Sequence, residues 1–203
     1  DAEPMRALVT ELFGDWKSAQ PYARVPLTAS EVSGQRLLNT LKDKPNAMIL
    51  GALPLKLADT DADYAALTLG AHVLGGGGFV SRLTEEVRQK RGLAYSAYSY
   101  FSPLQARGPF VIGMQTRRDQ ADEALAVVRK TLRDFVSNGP TAEELQAAKQ
   151  KIVGGFPMRS DSNRKIHEYL SVIGFYRLPI SYLEDFVANV ERVTVADIKA
   201  AFV

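Results

Sequence analysis

Cysteine is absent from all 203 residues. Disulfides, iron–sulfur clusters, zinc knuckles and thiol nucleophiles are excluded with it. Histidine is nearly as scarce, with only His72 and His167. A catalytic zinc normally needs three protein ligands, and the helical zinc-protease motifs set two histidines one turn apart beside a glutamate. Read as HxxEH, His72 is followed by Gly75 and Gly76 where Glu and His belong; read as HExxH, His167 has Glu168 but then Ser171. Both motifs are broken, so each imidazole reads as an ordinary surface or packing residue. No serine sits in a G-x-S-x-G elbow either. The adjacent carboxylates Glu85-Glu86 and Glu143-Glu144 fall on helical patterns, where neighbours point in different directions, and read as solvated faces. Alone, this chain is not a complete hydrolytic enzyme.

Long apolar runs are also lacking: none approaches the roughly 20 residues of a membrane-spanning helix. The opening Asp1-Ala2-Glu3-Pro4 has no basic-then-apolar leader, and with no initiator Met it sets the expectation of a mature or excised part of a longer protein. Charge of one sign is missing too. Twenty-five basic residues against 23 acidic ones leave +2, too little to gather nucleic acid by long-range attraction. What remains is a chain 46% hydrophobic and 24% charged, enough for one large globular domain or two small ones.

Helical spacing opens at Leu8, Leu12 and Phe13 and closes at Gly14, with a loop-like or edge segment around Pro21 and Pro26. Residues 35–41 and 47–53 read as strands, the second an apolar run between Pro45 and Pro54 suited to a buried position. Helix returns over 61–74 and again over 81–90, where Leu83 and Val87 face inward and Gly92 supplies the cap. Residues 93–101 alternate, putting Leu93, Tyr95, Ala97, Ser99 and Phe101 on one face and Ala94, Ser96, Tyr98 and Tyr100 on the other. A turn over 103–108 and a strand over 110–116 make a hairpin. The second half is helical. Ala121, Leu125, Val128, Leu132 and Phe135 form a stripe ended by Asn138-Gly139-Pro140; Thr141 and Glu144 form a capping box for a helix that breaks at Gly154, Gly155 and Pro157. Ile166, Leu170 and Ile173 stripe the next helix, Tyr182, Phe186 and Val190 the one after, and Thr194 caps the last. Strands followed by helices predict an α+β fold, an antiparallel β-sheet packed on one face by helices.

Two features carry chemistry. Gly75, Gly76, Gly77 and Gly78 form a run whose entropic cost exceeds what a simple turn requires, so something comes close to that backbone, or the run is a flexible connector. A phosphate loop is excluded because Phe79-Val80-Ser81-Arg82 lacks the required lysine. Beyond it, Arg88 near a helix end and Tyr95 at a strand start converge across Gly92, pairing a fixed cation with a phenolic donor suited to a carbonyl or oxyanion. The plainer alternative is an Arg88–Glu85 ion pair and a packed Tyr95.

The run Leu74-Gly75-Gly76-Gly77-Gly78-Phe79-Val80-Ser81-Arg82-Leu83, continuing through Glu86-Val87-Arg88 to Lys90-Arg91-Gly92-Leu93-Ala94-Tyr95-Ser96, resembles the pitrilysin/insulinase family of zinc metallopeptidases, which includes the mitochondrial processing peptidases. Phe13-Gly14-Asp15-Trp16, Arg159-Ser160-Asp161-Ser162-Asn163-Arg164 and Val193-Thr194-Val195-Ala196-Asp197-Ile198 resemble the C-terminal inactive half of its bacterial members. The long glycine run and Val80, where a small residue is common, depart from the family pattern. The resemblance implies a LuxS/processing-peptidase-like metallohydrolase fold, with residues 1–203 a single domain and the non-zinc-binding half of a larger peptidase. It implies zinc and the HxxEH motif in a homologous partner domain or subunit, no cofactor in this chain, and an extended peptide substrate held between the halves. It gives Arg88 and Tyr95 catalytic roles and Gly75–Gly78 a part in substrate binding. A purely structural subunit of the same fold, or a stand-alone peptide-binding domain, is the alternative. Bacterial relatives suggest a periplasmic location, with the cytoplasm the alternative.

Overall fold

The computed structural model describes residues 2–24, 33–55, 57–58, 60–102 and 108–203. It divides into two compact units, Asp1–Ser30 and Glu31–Val203. The first carries helix α1 (Ala2–Phe13), with Pro4 in the opening turn where a missing amide hydrogen costs nothing. Gly14 ends it, its amide donating to Thr10 O at 2.8 Å. A side chain there would meet that same oxygen at 2.4 Å. Pro26 and the turn over 103–107 lie outside the described residues.

The second unit holds a three-stranded antiparallel sheet of order β1 (Asn46–Leu55), β3 (Gly108–Arg117), β2 (Ala94–Phe101). β2 and β3 pair as the expected hairpin, and β1 joins the far side of β3, with Leu50 opposite Gly113 and Gly113 opposite Tyr98. Two expectations fail. Residues 35–41 form no strand, for they have no ladder partner, and adjacent Leu37 and Leu38 stay exposed. β1 is not buried. With a neighbour on one side only, among the described residues, it alternates between exposed and half-buried positions and leaves Met48 and Leu50 open to solvent.

Helices follow as α2 (Tyr64–Ala71), α3 (Arg82–Thr84), α4 (Ala121–Asn138), α5 (Ala142–Gly154), α6 (Asn163–Tyr176), α7 (Tyr182–Arg192) and α8 (Val195–Ala201). α2 begins later than its pattern suggests, because the Asp61 carboxylate accepts from the Ala58 amide at 2.9 Å and holds a turn instead. These helices cover one face of the sheet, as predicted for this α+β class. Ala97, Phe110 and Met114 on that face join Leu69, Leu74, Leu83, Val87, Phe135, Val190 and Ile198 in one core. Phe202 extends it, edge-on to Phe101 at 5.7 Å and to Phe135 at 5.0 Å.

Helix ends follow local chemistry. Thr141 and Glu144 form the expected capping box (2.7 and 3.2 Å), Thr194 with Asp197 forms a second, and Gly139 (φ +72°) stops α4. The buried stripe of α4 is rotated from the predicted one: Ala124, Val128, Thr131 and Phe135 face the core, with Leu125 and Leu132 flanking. On α6 only Ile173 is buried, and Ile166 and Leu170 remain exposed. No helix among the described residues is long and apolar enough to cross a membrane.

Candidate functional site

Residues 74–100 form a unit in which helix, glycine turn, helix and strand fold back on one another. α2 does not stop at Ala71. It widens into a turn over His72–Gly76 with hydrogen bonds reaching five residues, so Gly75 and Gly76 lie in helical backbone rather than in a loop. Such widened turns are rare and recur at functional sites. Two of the four glycines are explained by packing. A side-chain carbon on Gly75 would lie 2.3 Å from the Ser99 nitrogen and 2.5 Å from its hydroxyl, and one on Gly77 would lie 2.9 Å from His72 O. At Gly75 what approaches the backbone is strand β2 of this same chain, and at Gly77 it is His72 of the preceding turn. Gly78 differs, with φ +66° and no atom within 4 Å of where a side chain would start. Gly76 and Gly78 are exposed.

The next helix is held from both ends. Ser81 is fully buried, and its hydroxyl donates to Gly78 O at 2.8 Å. Leu83 and Val87 are inaccessible, each contributing about 1.5–3 kcal/mol by burial. α3 widens in turn over Glu85–Gln89 and ends at Gly92 (φ +63°), where Gly92 N bonds Arg88 O and Leu93 N bonds Val87 O, both at 2.9 Å.

Arg82 and Arg88 leave this segment into different settings. Arg82 makes a two-pronged pair with Glu144 (Nε to Oε1 2.7 Å, NH2 to Oε2 2.6 Å), reaches Gly139 O at 3.1 Å and lies 5.2 Å from the Phe135 ring centre. Glu144 is thus no solvated surface carboxylate. Burial raises its pKa, but hydrogen bonds from Arg82 and from the Thr141 amide outweigh that and hold it below the ordinary glutamate range. Glu85 and Glu86 are paired as well, with Lys90 and Arg91.

Arg88 is the exception. The Glu85 pairing considered for it does not form, and among the described residues it has no carboxylate partner. Its guanidinium carbon sits over two aromatic faces, 4.7 Å from the centre of Phe79 and 4.4 Å from that of Tyr95. Each contact is worth about 0.5–1 kcal/mol and leaves the N–H edge free to donate. Arg88 and Tyr95 are brought together across Gly92, but Tyr95 does not share a face with Leu93 and Ala97. A β-bulge between Ala94 and Ser96 inserts Tyr95 as an extra residue. Ala94 consequently turns inward and Tyr95 outward, 79% exposed. Further along β2, Tyr98 and Tyr100 lie near-parallel at 6.1 Å on the face away from the described core, and Tyr98 spreads across Gly113, where a side chain would collide with its ring.

The sequence alone assigns no role to Phe79, Ser81, Arg82 or Gln89. Phe79, Ser81 and Arg82 lie in the run that carries the family resemblance, which is the only signal of them in the sequence. Two depressions, of about 310 and 640 Å³, lie elsewhere: one around Arg82, Glu86 and Asp134, the other around Asp63, Phe186 and Arg192. Neither is lined by Arg88 or Tyr95, and Tyr95, 79% exposed, stands on open surface. The described residues offer zinc no ligand set. Among the described residues no three His, Asp or Glu side chains gather, and His72 is half-buried near Lys151, burial first and that charge second lowering its pKa.

An antiparallel sheet covered on one face by helices, carrying a glycine-rich turn and, among the described residues, an arginine without a carboxylate partner beside an exposed tyrosine, is the α+β architecture of the peptidase M16 inactive domains. The chain belongs to the peptidase M16 inactive domain family, whose pattern matches residues 1–152. It is 30% identical over 160 residues to the non-peptidase homolog YmxG of Helicobacter pylori, covering 77% of this chain and 36% of that protein. An uncharacterized zinc protease of Streptomyces coelicolor is 30% identical over 184 residues, covering 90% and 39%. Among solved structures, the peptidase M16 inactive domain from Pseudomonas fluorescens superposes with TM-score 0.71 at 45% identity, covering 78% of this chain and 37% of that one. A Helicobacter pylori protease shares the fold across the whole chain and 49% of its own, with TM-score 0.78 at 18% identity. The chain thus spans well under half the length of these curated relatives.

Proposed function

We propose that this chain is the substrate-binding, non-catalytic half of a zinc-dependent endopeptidase, working with a homologous half that carries HxxEH and the zinc. The observation that carries this is Arg88: a cation without a carboxylate partner among the described residues, held over two rings with its donors free. Paired arginines such as Arg82 have their donors committed, whereas Arg88 is available to an outside acceptor. In the proposed assembly an extended peptide lies along the sheet face that carries Tyr98 and Tyr100. Arg88 and the Tyr95 hydroxyl donate to a peptide carbonyl and to the negative charge that develops when water adds to it. The water chemistry belongs to the partner half. Gly76 and Gly78, exposed and without side chains, let peptide backbone pass close, while Gly75 and Gly77 serve packing.

In this proposal residues 1–203 act as one functional part of a longer or two-subunit peptidase in the periplasm; fractionation of producing cells tests the location. A structural subunit is favoured by one specific observation, the non-peptidase designation of the Helicobacter pylori relative. The two are separated by a peptidase assay with an HxxEH-bearing half. The proposal expects no cleavage by this chain alone with or without added zinc, and cleavage by the assembly. Activity of the chain alone, or an inactive assembly, contradicts it.

A further inference from the structure

Arg88 needs something to hold it, since no carboxylate among the described residues does. Tyr95 supplies one ring, but it is itself largely exposed and stands on a bulge. The second ring, Phe79, is fixed with more care. Its carbonyl accepts a 2.7 Å hydrogen bond from the Gln89 side-chain amide, and the preceding residue, Gly78, is locked by φ +66° and by the Ser81 hydroxyl on its carbonyl. Those bonds tie the glycine turn to the residue directly after Arg88. Phe79 is nonetheless 64% exposed, so core packing does not account for its size. A ring attracts a guanidinium through its face while the N–H donors lie at the guanidinium's edge. An aromatic support thus orients the arginine and leaves its donors unoccupied, which a carboxylate such as Glu144 does not.

Resting on the peptide-binding role proposed above, we infer that Phe79 is a positioning residue for Arg88. Its ring fixes the guanidinium against Tyr95, and the Gln89 bond to its carbonyl couples the glycine turn to the placement of that arginine. A peptide passing the Gly76–Gly78 backbone therefore meets an arginine already aimed at its carbonyl oxygen.

Phe79→Leu keeps an apolar side chain but removes the ring, and Phe79→Tyr keeps the ring. In the complete chain, the Arg88 Nε–H proton resonance in a ¹⁵N-resolved NMR spectrum reports the ring currents without any partner. Phe79→Leu should move that resonance downfield, and Phe79→Tyr should leave it near the parent position. In the assembly with the HxxEH-bearing half, Phe79→Leu should lower kcat/KM about two- to fivefold, the equivalent of one ring–cation contact, with Phe79→Tyr restoring it. An unmoved resonance in Phe79→Leu, or equal losses in both variants, overturns the positioning role. Arg88→Ala is assayed alongside. If it leaves turnover unchanged, the peptide-binding role itself fails; if it lowers turnover while Phe79→Leu does not, only the inference about Phe79 fails.

Discussion

Arg82 and Arg88 stand six positions apart in one short segment, yet the region around the first is a closed ionic joint and the region around the second is an open surface. Arg82 faces the α4–α5 junction, where Glu144 and the Gly139 carbonyl take up its donors. Arg88 faces Phe79 and Tyr95, which take up none. A cation whose hydrogen bonds are satisfied internally stabilises a fold, and one supported only by ring faces remains available to a ligand. The same contrast divides the glycines. Gly75 is needed because β2 lies against it, whereas Gly78 is needed for its backbone angle alone.

The largest expected effect is in the packed region. Gly75→Ala drives a carbon into the Ser99 backbone and should cost about 3 kcal/mol in chemical denaturation, as overpacking against rigid backbone does. A small loss would mean that β2 and the glycine turn separate easily. Arg82→Ala comes next. It leaves Glu144 half-buried without its cation and should cost about 2 kcal/mol, read by the same denaturation curves. Acid sharpens this. The folded carboxyl of Glu144 titrates below its ordinary value of 4.5, so its contribution is fully present above that pH and is lost as pH falls from there through the lower folded value. Arg82→Ala should flatten that acid loss, and an unchanged slope would remove Glu144 from the account. Gly78→Ala should cost the least, about 1 kcal/mol for a non-glycine left-handed conformation, with no steric part.

Local signals in the sequence are legible because they report local physics. Thr141 with Glu144, Thr194 ahead of its helix, Gly92 and Gly139 each satisfy backbone groups within a few residues, and all four act as helix boundaries in the structure. Leu83 and Val87 were legible by period. What was hidden depends on partners distant in the chain. Glu144 looked solvated because Arg82 is 62 residues away. Residues 35–41 looked like strand because local composition does not reveal whether a ladder partner exists. The outward turn of Tyr95 comes from a bulge, which adds one residue to a regular alternation and exchanges the faces inferred for Ala94 and Tyr95. The convergence of Arg88 with Tyr95 was legible from the Gly92 turn between them, while the Phe79 ring on the other end of the segment was not.

The central claim is that Arg88 serves substrate while its neighbour Arg82 serves the fold. The direct measurement is kcat/KM for Arg88→Ala in the assembly with the HxxEH-bearing half, with zinc content and the unfolding midpoint of this chain determined on the same samples. The account predicts turnover lowered about tenfold or more, with zinc content unchanged and the midpoint lowered by no more than the loss of two ring contacts, about 1–2 kcal/mol. Unchanged turnover, or a loss that merely tracks a lowered midpoint, would contradict it.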